Sequence, residues 1–121
     1  MRAAALPQLL ASLTLALAAP LALGQAWPTK PVRIVVPYPA GGVVDVQTRA
    51  VTIRMAEELG QAFVVEAKPG ASGSIGAEAV ANAAPDGYTL LVSAPFLITS
   101  PMMQNNLRWK PSDFVPVARF S

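Results

Sequence analysis

Three runs of apolar and often β-branched residues divide the chain and predict three strands. They read "PVRIVVPY" at residues 31–38, "AFVVEA" at 62–67 and "YTLLVSA" at 88–94. The first run is nearly continuous in apolar character, which is typical of a strand that is covered on both faces. The pattern therefore indicates a buried sheet.

The segment between the first two runs has the length and the ending of a helix. "VVDVQTRAVTIRMAEELG" ends at Gly60, and a glycine there can adopt the left-handed conformation that closes many helices. Length and capping predict this helix better than a single stripe does, because its apolar residues form two separate rows. These rows are Val44, Val51 and Met55, and Val46, Ala50 and Ile53.

The rest of the chain continues the alternation of helix and strand. "SIGAEAVANAA" at residues 74–84 predicts a second helix with Ile75, Ala79 and Ala83 on one face, and "PDG" at 85–87 predicts a turn. A short helix is expected near residues 99–105, and "DFVPVARFS" at 113–121 has the pattern of a further strand.

The order β-α-β-α-β, with connections of a few residues, predicts an α/β fold. Such alternation is typical of a parallel sheet with helices on its faces and right-handed crossovers. Without its N-terminal segment the chain is small for a doubly wound domain. We therefore expect residues 27–121 to be the N-terminal part of a longer binding domain.

Residues 1–26 have the layout of a secretory signal peptide. Arg2 is followed by an apolar run over residues 9–23, and small residues come next at Ala22, Gly24 and Ala26. The apolar run is shorter than the roughly 20 residues that cross a membrane. We expect cleavage after Ala26, or else after Gly24, and export to the periplasm; an uncleaved anchor is the alternative.

Composition excludes several kinds of site. The chain has no cysteine and no histidine, which removes disulfides, thiolate metal sites, cysteine nucleophiles and the commonest general base. Without Arg2, eight cations stand against seven anions, and no run of basic residues indicates a nucleic-acid partner. We expect no cofactor and no metal.

Two glycine loops follow the first two predicted strands. The first glycine loop covers residues 39–42 and the second covers residues 70–74, and each leads directly into a predicted helix. In an open parallel sheet, ligands bind at the carboxyl ends of the strands, where helix N-termini offer free N–H groups and about half a positive charge. Glycine also lets the backbone approach a ligand closely. The alternative is that these glycines only permit tight turns.

The candidate ligand-binding residues are those of the two loops and their neighbours. Tyr38 and Phe96 would be cleft walls or plain packing residues, and Ser93 and Thr99 could supply hydroxyl groups. The candidates from the first strand end are Tyr38, Pro39, Ala40, Gly41, Gly42 and Asp45, those from the second are Gly70, Ala71, Ser72, Gly73 and Ser74, and the third contributes Ser93.

Asp45 admits two interpretations. An acidic residue in the first turn of a helix stabilises that helix. Alternatively, its carboxylate accepts N–H bonds from the first glycine loop and fixes the shape of that loop. In that case water or several ångströms should separate Asp45 from a bound anion.

An exported nicotinamide-dependent oxidoreductase is the main alternative function. "GASGSIG" at residues 70–76 is similar to a dinucleotide-binding fingerprint. The fingerprint expects an acidic residue at the end of the next strand, but here that strand ends "LLVSAPF". No P-loop and no G-x-S-x-G motif occurs. A third possibility is a fragment without function.

Three blocks give the chain a family resemblance. "WPTKPVRIVVPYPAGGVVDV", "LGQAFVVEAKPGASGSIGAEAVANAAPDGYTLLV" and "KPSDFVPVARF" resemble the Bug-type extracytoplasmic solute receptors of tripartite tricarboxylate transporters. Two positions depart from the family pattern, since Ala67 and Ser100 stand where asparagine is common.

The resemblance implies a periplasmic-binding-protein-like (type II) three-layer sandwich with a parallel sheet, of which this chain would be the first part. It implies a two-domain receptor that closes on a small carboxylate, such as citrate or a dicarboxylate, and delivers it to a membrane permease. The first two strand-to-helix loops would grip the ligand carboxylate through backbone groups and ordered water.

Overall fold

The computed structural model describes residue 24 and residues 26–119. The predicted signal peptide, residues 1–26, lies almost entirely outside these residues. In the described part of the chain, no helix combines the length and the apolar character needed to cross a membrane.

A three-stranded parallel sheet forms the centre of the fold. Its strands are β1 (Val32–Val36), β2 (Phe63–Ala67) and β3 (Thr89–Leu91), in the spatial order β2-β1-β3. Val36 is aligned with Ala67, and Arg33 with Thr89. Backbone bonds extend the β1–β3 ladder beyond β3, because Arg33 donates to the Tyr88 carbonyl at 2.8 Å and Val92 donates to the Val35 carbonyl at 2.9 Å. The predicted parallel α/β arrangement is confirmed.

Within the part of the chain that the structure describes, three α-helices connect and follow the strands. They are α1 (Val43–Leu59), α2 (Ser74–Ala81) and α3 (Phe96–Met103), with short 3-10 turns at Ala71–Gly73 and Pro111–Asp113. Gly60 closes α1 as predicted, with φ 68° and its N–H donating to the Ala56 carbonyl. The structure ends α2 three residues before the predicted limit and begins α3 three residues earlier than predicted.

The hydrophobic core lies on both faces of β1. Val32, Ile34 and Val36 form a buried cluster with Val92, and Val44 of α1 packs against that cluster. On the opposite face Val35 is fully buried. The chain passes from the central β1 outward to β2 and then back past β1 to β3. Since connections between parallel strands are almost always right-handed, this order places α1 and α2 on opposite faces of the sheet and gives three layers.

The fully buried residues of α1 are polar, and of its two apolar rows the one that begins at Val44 is half-buried while the other is exposed. Asp45, Thr48 and Thr52 are buried, whereas Val46 and Ile53 are more than half exposed. The threonine hydroxyls form hydrogen bonds within α1. Thr48 donates to the Val44 carbonyl at 2.7 Å, and Thr52 donates to the Arg49 carbonyl at 3.0 Å. A hydroxyl bonded within its own helix can be buried at little cost.

Of the face predicted for α2, only the alanines turn partly inward. Ile75 is 51% exposed, and the buried residues are Gly76 and Ala77. A Cβ atom on Gly76 would lie 2.9 Å from the Pro37 Cβ and 3.2 Å from the Lys68 carbonyl oxygen. Small size therefore decides which face of α2 turns inward, because only glycine allows so close an approach to the ends of β1 and β2.

The strand predicted for residues 113–121 is wrong for the residues described. Residues 114–119 pair with no strand there, and Val115 and Val117 are 84% and 78% exposed. Pro116 has no N–H to donate to a ladder. The preceding turn is held by Lys110, whose N–H donates to Asp113 Oδ2 at 2.9 Å.

Candidate ligand-binding site

The two glycine loops lie side by side at the carboxyl edge of the sheet. They leave β1 and β2, which are adjacent and parallel, and the Lys68 N–H donates to the Val36 carbonyl at 2.8 Å where the strands end. Gly76 packs on Pro37 and so holds the start of α2 against the base of the first glycine loop. The structure thus brings together the candidate residues of both loops, as the order of the strands predicted.

The first glycine loop is a tight turn with open space beside it. The Gly42 N–H donates to the Pro39 carbonyl at 3.2 Å, and Gly41 has φ 80°. A Cβ atom on Gly41 would meet no other atom within 4 Å. Gly41 is therefore required by its left-handed backbone, and the space beside it is accessible from outside.

Asp45 fixes the shape of this loop. Its Oδ2 accepts the Gly41 N–H at 2.9 Å, and the residue is only 3% exposed. Of the two interpretations that the sequence allowed, the structure shows the bond from the carboxylate to the loop. It also places Asp45 in the first turn of α1, so the general stabilisation of a helix N-terminus applies as well.

Arg49 binds the same carboxylate, and the sequence-based reasoning missed it. Its Nε lies 2.9 Å from Asp45 Oδ2 and its Nη2 lies 3.1 Å from Oδ1, which is a two-point contact. The hydrogen bonds from Arg49 and then from the Gly41 N–H hold the pKa of Asp45 below its ordinary value. Asp45 is therefore a carboxylate at neutral pH. An acid and a base four positions apart on a helix are the signal that could have revealed the pair.

The second glycine loop adopts a left-handed turn. Gly70 has φ 123°, and Ala71, Ser72 and Gly73 follow with φ 46°, 53° and 92°. The Gly73 N–H closes the turn on the Gly70 carbonyl at 3.0 Å. A left-handed conformation costs about 1–2 kcal/mol for a residue other than glycine. Ala71 and Ser72 carry this backbone strain where the loop leads into α2, and both are exposed.

Ser74 adds a polar group beneath this turn. It is the first residue of α2, and its Oγ is buried without a hydrogen-bond partner among the described residues. A buried hydroxyl without a partner costs free energy, so the group is suited to bind a water molecule or a ligand oxygen.

A row of aromatic side chains lies behind the second glycine loop. Tyr38 and Phe96 meet edge to face with ring centroids 6.3 Å apart, and the row continues through Trp109 to Phe114 at 6.2 and 5.9 Å. A Cβ atom on Gly73 would lie 2.9 Å from Phe96 Cδ2. Tyr38 and Phe96 therefore pack against each other and Phe96 supports the loop. Burial raises the pKa of Tyr38.

The hydroxyl groups after β3 bond locally. Ser93 Oγ donates to the Ala94 carbonyl at 3.3 Å, and Thr99 Oγ1 donates to the Pro95 carbonyl at 3.2 Å. Ser93 lies at the same edge of the sheet as the two loops, but among the described residues no hydrogen bond connects it with them.

A charged network borders the second glycine loop, and it was not predicted. Glu66 pairs with Arg33 through Oε2 and with Lys68 through Oε1, the latter at 2.9 Å. These bonds, that from Arg33 first, lower the pKa of Glu66. Two cations against one carboxylate leave a positive excess next to the loop. Within residues 26–119, no cluster of carboxylates could hold a metal ion.

The dinucleotide alternative gains no support from this geometry. β3 ends at Leu91, and the residues that follow, "VSAPF", contain no carboxylate that could hold a ribose.

Comparison with known families gives a match over most of the chain. The profile of the tripartite tricarboxylate transporter family receptor (TctC) matches residues 47–121. A UPF0065 protein of Bordetella bronchiseptica is 47% identical over 112 residues, covering 91% of this chain and 33% of that protein. The protein BugT of Bordetella pertussis is 38% identical over 108 residues, covering 87% and 33% of the respective chains. The chain spans about a third of the length of the curated relatives it matches.

Solved structures show the same fold. The periplasmic binding protein BugD superposes with a TM-score of 0.67 at 41% identity, covering 70% of this chain and 28% of BugD. MatC from Rhodopseudomonas palustris, with bound malate, gives 0.65 at 37% identity, covering 75% and 32%. Rpa4515 from R. palustris, with adipate, gives 0.57 at 41% identity, covering 59% and 24%. Among these neighbours, BugD is a periplasmic binding protein, and MatC and Rpa4515 hold malate and adipate.

Proposed function

The chain belongs to the tripartite tricarboxylate transporter receptor family, and from this premise we propose that its two glycine loops bind one carboxylate group of a small organic acid. The protein would be a periplasmic solute-binding receptor and not an enzyme. The observation that carries the proposal is the position of two glycine loops at one sheet edge, each leading into a helix N-terminus.

The chemistry of the two loops suits an anion. Unpaired N–H groups at the N-termini of α1 and α2 and the partial positive charge of each helix favour a carboxylate. The open space beside Gly41 leaves room for the ligand. The buried Ser74 hydroxyl has no hydrogen-bond partner among the described residues, and a ligand oxygen or a water molecule would provide one. MatC with malate and Rpa4515 with adipate support the class of ligand.

Export and delivery complete the proposal. Residues 1–26 would direct the protein to the periplasm and be removed after Ala26, and a membrane permease would accept the ligand. Family membership and the periplasmic neighbour BugD support this assignment.

An NMR titration tests the site directly, and it can measure binding as weak as a millimolar dissociation constant. We expect malate and adipate to shift the amide signals of Gly41, Gly42, Gly73 and Ser74 in the 121-residue chain, with saturation. Malamide, which has the shape of malate without its charges, should shift them little. Saturable binding of malamide, or malate shifts confined to residues far from the loops, would contradict a carboxylate site here.

A matched pair of glycine variants locates the ligand. Gly41 and Gly60 have φ 80° and 68°, and a Cβ atom on either would meet nothing within 4 Å. Gly41→Ala and Gly60→Ala therefore carry similar backbone strain, but only Gly41 borders the proposed site. The Cβ atom that Gly41→Ala adds would enter the open space proposed for the ligand and push its carboxylate away from the helix N–H groups. Losing one charge-assisted hydrogen bond lowers affinity about 10- to 150-fold. We expect this loss for malate with Gly41→Ala and not with Gly60→Ala; equal losses would place the ligand elsewhere.

A further inference from the structure

The Asp45 carboxylate presents an electrostatic problem at an anion site. It is 3% exposed and holds the Gly41 N–H of the loop that would meet the ligand. It also lies in the first turn of α1, where its negative charge offsets the partial positive charge of the helix N-terminus. Left alone, this carboxylate would repel a ligand carboxylate.

Arg49 provides the opposite charge at a suitable place. It contacts both oxygens of Asp45 from one turn further along α1, at 2.9 and 3.1 Å, and shares Oδ2 with the Gly41 N–H. Its side chain is 49% exposed, so the guanidinium keeps part of its hydration while it pairs with the buried carboxylate. Among the described residues, the hydrogen bonds to Asp45 come from Gly41 and Arg49.

We propose that Arg49 is a positioning residue of the ligand site, which neutralises Asp45 so that the carboxylate can hold the first glycine loop in shape without repelling a bound anion. The proposal rests on the carboxylate site proposed above. It assigns Arg49 no contact with the ligand. An ordinary i,i+4 pair that only stabilises the helix would leave binding unaffected.

Neutralisation predicts opposite effects of two substitutions on malate affinity, whereas simple structural support predicts a loss of affinity for both. Arg49→Gln leaves the Asp45 charge uncompensated and should weaken malate binding about five- to tenfold, as a unit charge several ångströms away does at an effective dielectric constant of about 40. Asp45→Asn keeps an oxygen that can accept the Gly41 N–H but leaves Arg49 with its full charge. It should therefore strengthen malate binding by a similar factor.

The double variant Asp45→Asn/Arg49→Gln is the decisive measurement. Its charge equals that of the wild-type pair, so malate affinity should return to within about twofold of the wild type. If the pair acts only through the shape of the loop, both single variants should weaken binding and the double variant should be at least as weak. That result would overturn the proposal.

Salt and a conservative variant supply independent readouts. The Debye length falls from about 30 Å at 0.01 M to about 3 Å at 1 M ionic strength. The deficit of Arg49→Gln relative to the wild type should therefore shrink at high salt. Arg49→Lys keeps the charge and loses the two-point geometry, so we expect an affinity within about threefold of the wild type; a loss as large as that of Arg49→Gln would contradict neutralisation.

The experiment is an NMR titration of the 121-residue chain and these variants with malate, following the Gly41 and Gly73 amide signals. Preserved dispersion of the amide signals confirms that each variant is folded, and if Arg49→Gln is not, Arg49→Lys and Asp45→Asn still test the sign of the effect. A wild-type chain that binds no carboxylate overturns the proposed function and this inference together. Wild-type binding without the opposite signs overturns the inference alone.

Discussion

At the scale of single residues, Gly73 meets two constraints that can be separated. Its φ of 92° disfavours any side chain, and a Cβ atom would lie 2.9 Å from Phe96 Cδ2. Gly60 shares the first constraint, with φ 68°, but has open space around it. We expect Gly73→Ala to reduce the free energy of unfolding by at least about 1 kcal/mol more than Gly60→Ala, because overpacking adds to strain. Urea denaturation of both variants measures the difference, and equal losses would show that Phe96 yields freely.

The pKa of Asp45 gives a prediction for pH. Arg49 and the Gly41 N–H lower this pKa in the folded state, so the unfolded chain takes up a proton first as the pH falls. The ionised group therefore stabilises the fold above its unfolded pKa of about 3.9, and this stabilisation disappears as the pH falls through the lower folded value.

Asp45→Asn should accordingly be less stable than the wild type at pH 7, and the gap in urea midpoint should close as the pH falls from about 5 to the acid limit. Glu66→Gln serves as a comparison, because the pKa of Glu66 is also lowered, by Arg33 and Lys68, at a different place in the fold. A gap for Asp45→Asn that stays constant from pH 7 downward would mean that the charge of Asp45 does not stabilise the folded state.

At the scale of elements, the hydrophobic pattern and the glycine residues that end elements predicted which helices and strands exist, but not which of their faces are buried. The apolar runs marked β1 and β2, and Gly60 marked the end of α1. The two apolar rows of α1 did not indicate which of them turns inward; Thr48 and Thr52, whose hydroxyls bond within the helix, are buried beside the row that begins at Val44. The inward face of α2 was set by the close approach of Gly76 to Pro37, a contact between residues far apart in sequence.

The burial of a threonine and the exposure of an isoleucine in α1 can be tested by placing glutamine at each position in turn. Thr48 is 2% exposed and Ile53 is 61% exposed. Ile53→Gln should change the free energy of unfolding by no more than about 0.5 kcal/mol. Thr48→Gln forces a larger polar side chain into a filled space and should cost about 1–3 kcal/mol. Thermal or urea unfolding of the two variants measures the difference. A larger loss of stability for Ile53→Gln would show that the apolar row containing Ile53 faces the core.

The candidate site was predictable to the extent that it follows from topology and spacing. Parallel strands place the ends of β1 and β2 together, and the position of Asp45 allowed its bond to the first glycine loop. The left-handed conformations of Ala71 and Ser72 were not predictable, because neither residue type favours them. The aromatic row through Trp109 joins segments that only the folded chain brings together.

At the scale of the whole molecule, the N-terminal segment makes export testable. The apolar run over residues 9–23 and the small residues before Trp27 predict cleavage after Ala26, or else after Gly24. Mass spectrometry of the chain recovered from the periplasm of an expressing bacterium should show a new start at Trp27 or Gln25. A periplasmic product that still begins at Met1 would contradict cleavage.

Exposed apolar residues at the other end of the described chain make self-association the expected behaviour of residues 27–121. Met102 and Met103 are 81% and 82% exposed at the end of α3, and Val115 and Val117 are similarly exposed nearby in sequence. Apolar surface of this kind, if contiguous, favours association. We expect the apparent mass of this segment in light scattering to rise with concentration.

Met102→Gln/Met103→Gln should reduce this association, because it removes apolar surface without touching the core. Asn105→Gln/Asn106→Gln changes two neighbouring exposed residues at constant charge and polarity, and it should leave the concentration dependence as it is. A monomer of constant mass at every concentration, or an equal effect of both double variants, would show that these methionines do not mediate contact between molecules. Because the four sites lie outside the two glycine loops, malate titrations of the methionine variant should match those of the wild type at low protein concentration, which separates association from binding.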